Sequence, residues 1–173
     1  METIKTIHSR RSIRQYKDKQ VPGNLVQKLL AAAMASPSAR NQQPWEFIVI
    51  TEKDLLEKIS AVNPFAEMAA KAPLAILICG NLEIETSPGY WVVDCAAATQ
   101  NLLLAAHALG LGGVWTGTYP NEDRMDGYTE LFDLPEYILP HSLVVLGYPD
   151  ENPPDQDRFK GERIHYNRWG NPQ

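Results

Sequence analysis

Long apolar runs are missing from this chain. No stretch of about 18 apolar residues occurs, so no transmembrane helix is expected. The opening METIKTIHSRRSIRQY is too polar for the apolar region of a signal peptide. Cysteine is scarce: Cys79 and Cys95 stand in apolar surroundings with no CxxC, which reads as two buried small side chains in a reducing, cytoplasmic protein. Metal-ligand spacing is absent too. There is no HExxH, and His8, His107, His141 and His165 are scattered. No repeat is found. A glycine-rich phosphate loop is also lacking, because WEFIVITEKD contains no glycine and GLGGVWTG at 110–117 has Trp115 where a third glycine would stand.

What is present is an ordinary globular composition: 173 residues, 44% hydrophobic, 21% charged, net charge −5. That is one domain's worth of chain with enough apolar mass for a core. Charge is unevenly placed. Residues 1–19 hold six bases against two acids, and residues 158–173 hold four against one. Residues 120–157 hold ten acids and one base, Arg124. Basic ends on an acidic chain suit convergence on one small anion better than nucleic acid, whose non-specific binding needs cationic surface.

Hydrophobic periodicity predicts a short helix near 3–8 and a helix in PGNLVQKLLAAAMAS, where Leu25, Val26, Leu29, Leu30 and Ala33 share a face. SPSARNQQPW, residues 36–45, is a loop. WEFIVIT, LAILICG, GGVWTGTY and HSLVVLGY read as strands. EKDLLEKISAV, FAEMAAKA and NEDRMDGYTELFDL read as helices, the last with Asn121 as N-cap. Residues 88–110 form the longest helix; it is apolar nearly all round, and Asp94 and Asn101 share one face. This alternation of strands and helices, taken alone, suggests a doubly wound parallel sheet; the missing phosphate loop speaks against it.

Four segments hold donors for a ligand. RRSIR at 10–14 offers three guanidiniums and a hydroxyl, which suit phosphate or carboxylate; a solvated basic turn is the alternative. SPSARNQQPW offers amides and hydroxyls able to read a heterocycle's edge, or else is a plain connector. WTG at 115–117 allows close approach to backbone at Gly117, or is a plain strand exit. The tail carries Arg158, Lys160 and Arg163 with Phe159, Ile164, Tyr166 and Trp169, more aromatic mass than a free terminus needs.

In this order and spacing, RRSIRQY, SPSARNQQPWEF, the long helix into ALGLGGVWTG, and LGYPDENPPDQDRFK make the chain resemble the nitroreductase family of flavin (FMN)-dependent oxidoreductases over nearly its full length. The resemblance implies an α+β fold with a central mixed, largely antiparallel sheet flanked by helices. It implies a single FMN-binding domain over 1–173, with 150–173 as an arm reaching across a homodimer. FMN phosphate and pyrimidine edge would be held by Arg10, Arg11, Ser12 and Arg14, and Arg158 would complete the phosphate site. Pro37, Ser38, Ala39, Asn41 and Gln43 would reach the partner subunit's flavin, and Trp115, Thr116 and Gly117 would lie beside the ring, with the Thr116 or Gly117 N–H at N5. Gln156 stands where some members have lysine, and the lid insertion of larger members is lacking. No side chain is required as catalytic acid or base. The implied activity is ping-pong transfer of hydride from NAD(P)H to nitroaromatic, quinone or similar acceptors, without nucleic acid or membrane. The alternatives on the same fold are dehalogenation, desaturation, flavin fragmentation, or flavin storage without turnover.

Overall fold

The computed structural model describes residues 2–171. Its strands are β1 (Trp45–Ile50), β2 (Leu74–Asn81), β3 (Gly112–Gly117) and β4 (Ile138–Gly147), in the order β1-β2-β4-β3. Every neighbouring pair is antiparallel. This is the largely antiparallel α+β sheet that the resemblance implies, and not the parallel doubly wound sheet that alternation alone suggests. Helices cover both faces of this sheet, so its central strands are apolar throughout, as parallel strands usually are. That shared composition is why alternation misleads here. Among the described residues the one parallel pairing is an isolated bridge, Ser12 to Gly113, which lays the arginine segment against the outer edge of β3.

The helices are α1 (Thr3–Ser9), α2 (Gly23–Met34), α3 (Lys53–Val62), α4 (Trp91–Ala108) and α5 (Glu122–Leu131). FAEMAAKA, expected as a helix over 65–72, is a 3-10 segment, Pro64–Lys71, entered through Asn63, whose side chain accepts from the Phe65 N–H. The strand period of two divides β2 between two cores. Leu74, Ile76 and Ile78 join α2 and α4, while Ala75, Leu77 and Cys79 join α3, the 3-10 segment and α5. Each fully buried Leu or Ile contributes about 1.5–3 kcal/mol. The expected all-round apolar character of the long helix holds: α4 buries Cys95, Ala98, Leu102 and Ala106 among others.

Two contacts fix the edge where the arginines lie. A Cβ on Gly112 would stand 2.6 Å from Ile13 Cγ1, so only glycine lets Ile13 seat there. Tyr16 donates its buried hydroxyl to the Ile13 and Val145 carbonyls, closing the turn after RRSIR.

Candidate functional site

The arginine segment is held by its backbone. The Ile13 N–H donates to the Gly113 carbonyl (3.1 Å), and Glu151 accepts from the N–H groups of Arg14 and Gln15. Gly113 therefore points its polar groups outward from the sheet. Antiparallel alternation then turns the N–H of Trp115 and Gly117 to the same free edge and commits Thr116 to the β4 ladder, opposite Leu143. The buried Thr116 hydroxyl donates to the Leu143 carbonyl as well (3.1 Å). Of the two N–H groups expected beside the ring, only that of Gly117 faces the open edge. A Cβ on Gly117 would meet nothing within 4 Å.

The three arginines differ. Arg11 has a side chain only 11% exposed. Its Nη1 donates to the His8 and Arg10 carbonyls (2.7 and 2.8 Å), its Nε to the Pro154 carbonyl (3.1 Å) and its Nη2 to Asp155 (3.0 Å). It straps the tail to α1. Arg14 is exposed. Arg10 is half-buried, and among the described residues no ion pair neutralises it. Burial, then Arg158, then Arg11 hold its pKa below the usual arginine range. Arg10 and Arg158 line a cavity of about 360 Å³ with His8, Gln156 and Phe159; Asp157 also borders it. Gln156 Oε1 accepts from Arg158 Nε (3.0 Å) and Nη2, so the amide found in place of a lysine orients the guanidinium. Beside this cluster His107 shares a 2.7 Å hydrogen bond with Ser9, and burial, then Arg10 and Arg11, lower its pKa. Like charge gathered this way favours an anion.

The loop at 36–43 is shaped by α4. Buried Asp94 accepts from the Ala39 N–H (3.0 Å) and Gln42 Nε2 (2.7 Å). Gln42 Oε1 accepts from the N–H groups of Thr86 (2.8 Å) and Ser87 (2.9 Å). Two turns along the same face, Asn101 donates to Ser36 Oγ (2.7 Å). The clamp forces left-handed backbone at Arg40, Asn41 and Gln43 (φ 49°, 57° and 49°), of which only Asn tolerates it readily. Ser38 Oγ accepts from the Gln43 N–H (3.0 Å). Pro37, Asn41 and Gln43 are exposed, with Ser38 and Ala39 half-buried. Among the described residues no hydrogen bond joins this loop to the arginines or to β3.

Aromatic rings join the end of β3 to the start of α4. Trp91 packs edge-on to Tyr119 (5.0 Å) and His141 (6.0 Å), and His141 lies 5.7 Å from Trp115. The sequence reading missed Gln42, Asn63 and Arg124. Asn63 Nδ2 (3.2 Å) and Arg124 Nη1 (3.0 Å) both donate to the Gly117 carbonyl. The signal for Arg124 was available, as the one base of an acidic stretch.

Both cysteines are free and buried, and burial pushes the Cys79 thiol up to about 12. Among the described residues no group of acids, histidines and cysteines is arranged to hold a metal, and no helix is long and apolar enough to cross a membrane.

The description "Nitroreductase family" matches residues 7–63 and 60–148. A provisionally named NADH dehydrogenase/NAD(P)H nitroreductase of Methanothermobacter thermautotrophicus is 50% identical, over 98% of this chain and 88% of that protein. The crystal structure of a protein of the same provisional name from Parabacteroides distasonis superposes with TM-score 0.93 at 40% identity, covering 96% of this chain and 98% of the other. A nitroreductase-type structure from Desulfovibrio desulfuricans, described as a complex with FMN, superposes with TM-score 0.83 at 29% identity, covering 95% of each chain. The family match over most of the chain, the 50% identity across nearly its whole length and the shared fold show that the chain belongs to the nitroreductase family.

Proposed function

We propose that this protein is an FMN-dependent oxidoreductase that takes hydride from NAD(P)H and reduces nitroaromatic, quinone or similar electron-poor acceptors in a ping-pong cycle. The observation that carries this reading is Arg10, half-buried beside Arg158 with no carboxylate paired to it among the described residues. A relative bound to FMN and another named for NAD(P)H support it.

FMN, when bound, supplies a ring that accepts hydride at N5 and passes electrons on. The chain's residues bind and orient. Arg10 and Arg158 would hold the phosphate, with the Ser12 hydroxyl and Arg14 beside them, while Arg11 positions them by holding the tail. The outward Gly117 N–H would be the donor offered to the ring, and Thr116 keeps that strand end in place. Trp115, 36% exposed, forms a wall at the same edge. Residues 1–173 act as one domain in a homodimer with FMN at the interface. There the loop 37–43 serves the partner's site, and the arm 150–173 reaches across the partner subunit, which covers the arm's Phe159 and Trp169, 75% and 89% exposed in the single chain. The free, buried thiols support a reducing compartment.

The test is a visible spectrum of the purified protein, followed by anaerobic NADH or NADPH. A yellow protein that bleaches with nicotinamide and recovers colour on adding a nitroaromatic is expected. Arg10→Ala should retain FMN less well by about 1.5–3 kcal/mol, the range for a charge-assisted hydrogen bond. A colourless protein that takes up no added FMN would refute the reading; binding without bleaching would assign storage instead.

A further inference from the structure

Arg124 is the one base among ten acids in residues 120–157, yet it does not neutralise them. Among the described residues it forms no ion pair, although Glu122 and Asp123 share its turn of α5. Its guanidinium lies instead 4.9 Å from the Phe65 ring centroid, with Nη1 on the Gly117 carbonyl. This placement is built from several sides. The Arg124 N–H is capped by Asn121 Oδ1 (3.0 Å), and the Phe65 N–H by Asn63 Oδ1 (3.0 Å). Asn63, fully buried, gives its other amide atom to the same Gly117 carbonyl. Two separate elements thus converge on the strand end whose N–H faces the open edge.

Phe65 is 66% exposed, so most of its ring faces solvent. An exposed aromatic ring is a platform for another ring. Arg124 spends one of its five N–H donors on Gly117, which leaves a planar fork free to pair with a carboxylate or sulfonate. Glu122 and Asp123 on the same turn disfavour an anion beside them, so Arg124 is the group a negative substituent would seek.

We propose that Phe65 and Arg124 form the acceptor-reading wall of the site, selecting aromatic acceptors that carry an anionic substituent over neutral analogues. This rests on the functional reading above. The test compares p-nitrobenzoate with p-nitrobenzamide as acceptors of the FMN-loaded enzyme, and titrates the non-reducible p-aminobenzoate calorimetrically. A preference of about fivefold in kcat/KM for the carboxylate is expected, carried by KM and weakened by added salt, the scale of one partly exposed ion pair. Arg124→Gln keeps a donor for the Gly117 carbonyl and removes the charge. It should bring the ratio to about one and weaken p-aminobenzoate binding to the same degree. Arg124→Lys should retain the preference, and Phe65→Leu should raise KM for both acceptors. A charge-blind wild type, or a preference that persists in Arg124→Gln, overturns the proposal. Failure to bind FMN or to bleach would fail the functional reading by itself, while the p-aminobenzoate titration of the same protein still decides the anion preference.

Discussion

His141 lies 5% exposed between the indoles of Trp91 and Trp115, with Nδ1 3.1 Å from Ser142 Oγ, which is in turn 3.0 Å from Thr99 Oγ1. Burial lowers its pKa to about 4, against a smaller upward pull from a hydrogen bond to the Val92 backbone. The folded value lies below the unfolded one of about 6.5, so the unfolded chain binds its proton first as pH falls. Stability from this residue is therefore full above pH 6.5 and lost down to about pH 4, at about 1.4 kcal/mol per pH unit. His107, also lowered, acts in the same direction. Urea unfolding across that window should show a shallower pH slope in His141→Asn than in wild type; equal slopes would refute the assignment. The sequence places His141 in an apolar strand but cannot reveal its charge state, which depends on residues far along the chain.

The loop 36–43 shows what one helix does for a neighbouring element. Asp94 receives two donors and Gln42 passes the restraint on to 86–87, so the strained turn rests on one carboxylate. Asp94→Asn places an amide against a donor and should cost about 1–3 kcal/mol. Adding Gln42→Glu turns that donor into an acceptor and should restore part of the loss, which a denaturation double-mutant cycle measures. Additive losses would mean the pair is not coupled. The elements themselves were legible, because alternating and 3.6-residue apolar patterns mark which face is buried. Residues 36–44 were legible as a connection from their prolines and amides, although Trp45, read with them, opens β1, and Asp94 and Asn101 were legible as sharing a face. What they hold was not legible, since the partners are set by tertiary contact. Strand direction was hidden for the reason seen in β2, a strand buried on both faces whichever way its neighbours run.

Across the whole molecule, the split of charge becomes a division of labour. Arg10 and Arg158 bring the two basic ends together, while Arg124 stands alone in the acidic segment. The motifs pointed to the first of these convergences, but no motif marked the second. Apolar surface is unevenly placed as well. Ile4 and Ile7 on α1 are 60% and 48% exposed, and Phe159 and Trp169 on the tail are more so. If a second copy covers the tail, replacing Phe159 and Trp169 together by Ser should raise the dimer dissociation constant at least about tenfold, as the loss of aromatic anchors does at interfaces. Sedimentation at several concentrations would read this, and an unchanged constant would place the interface elsewhere.

The strap made by Arg11 limits which substitutions the chain can accept. Three of its four acceptors are main-chain carbonyls, which every residue type supplies. Positions 8, 10 and 154 can therefore change without loosening the strap, whereas position 11 cannot, since lysine lacks the planar fork that reaches helix and tail together. At this point the docking of the tail is written in the Arg11 side chain and read mostly by backbone.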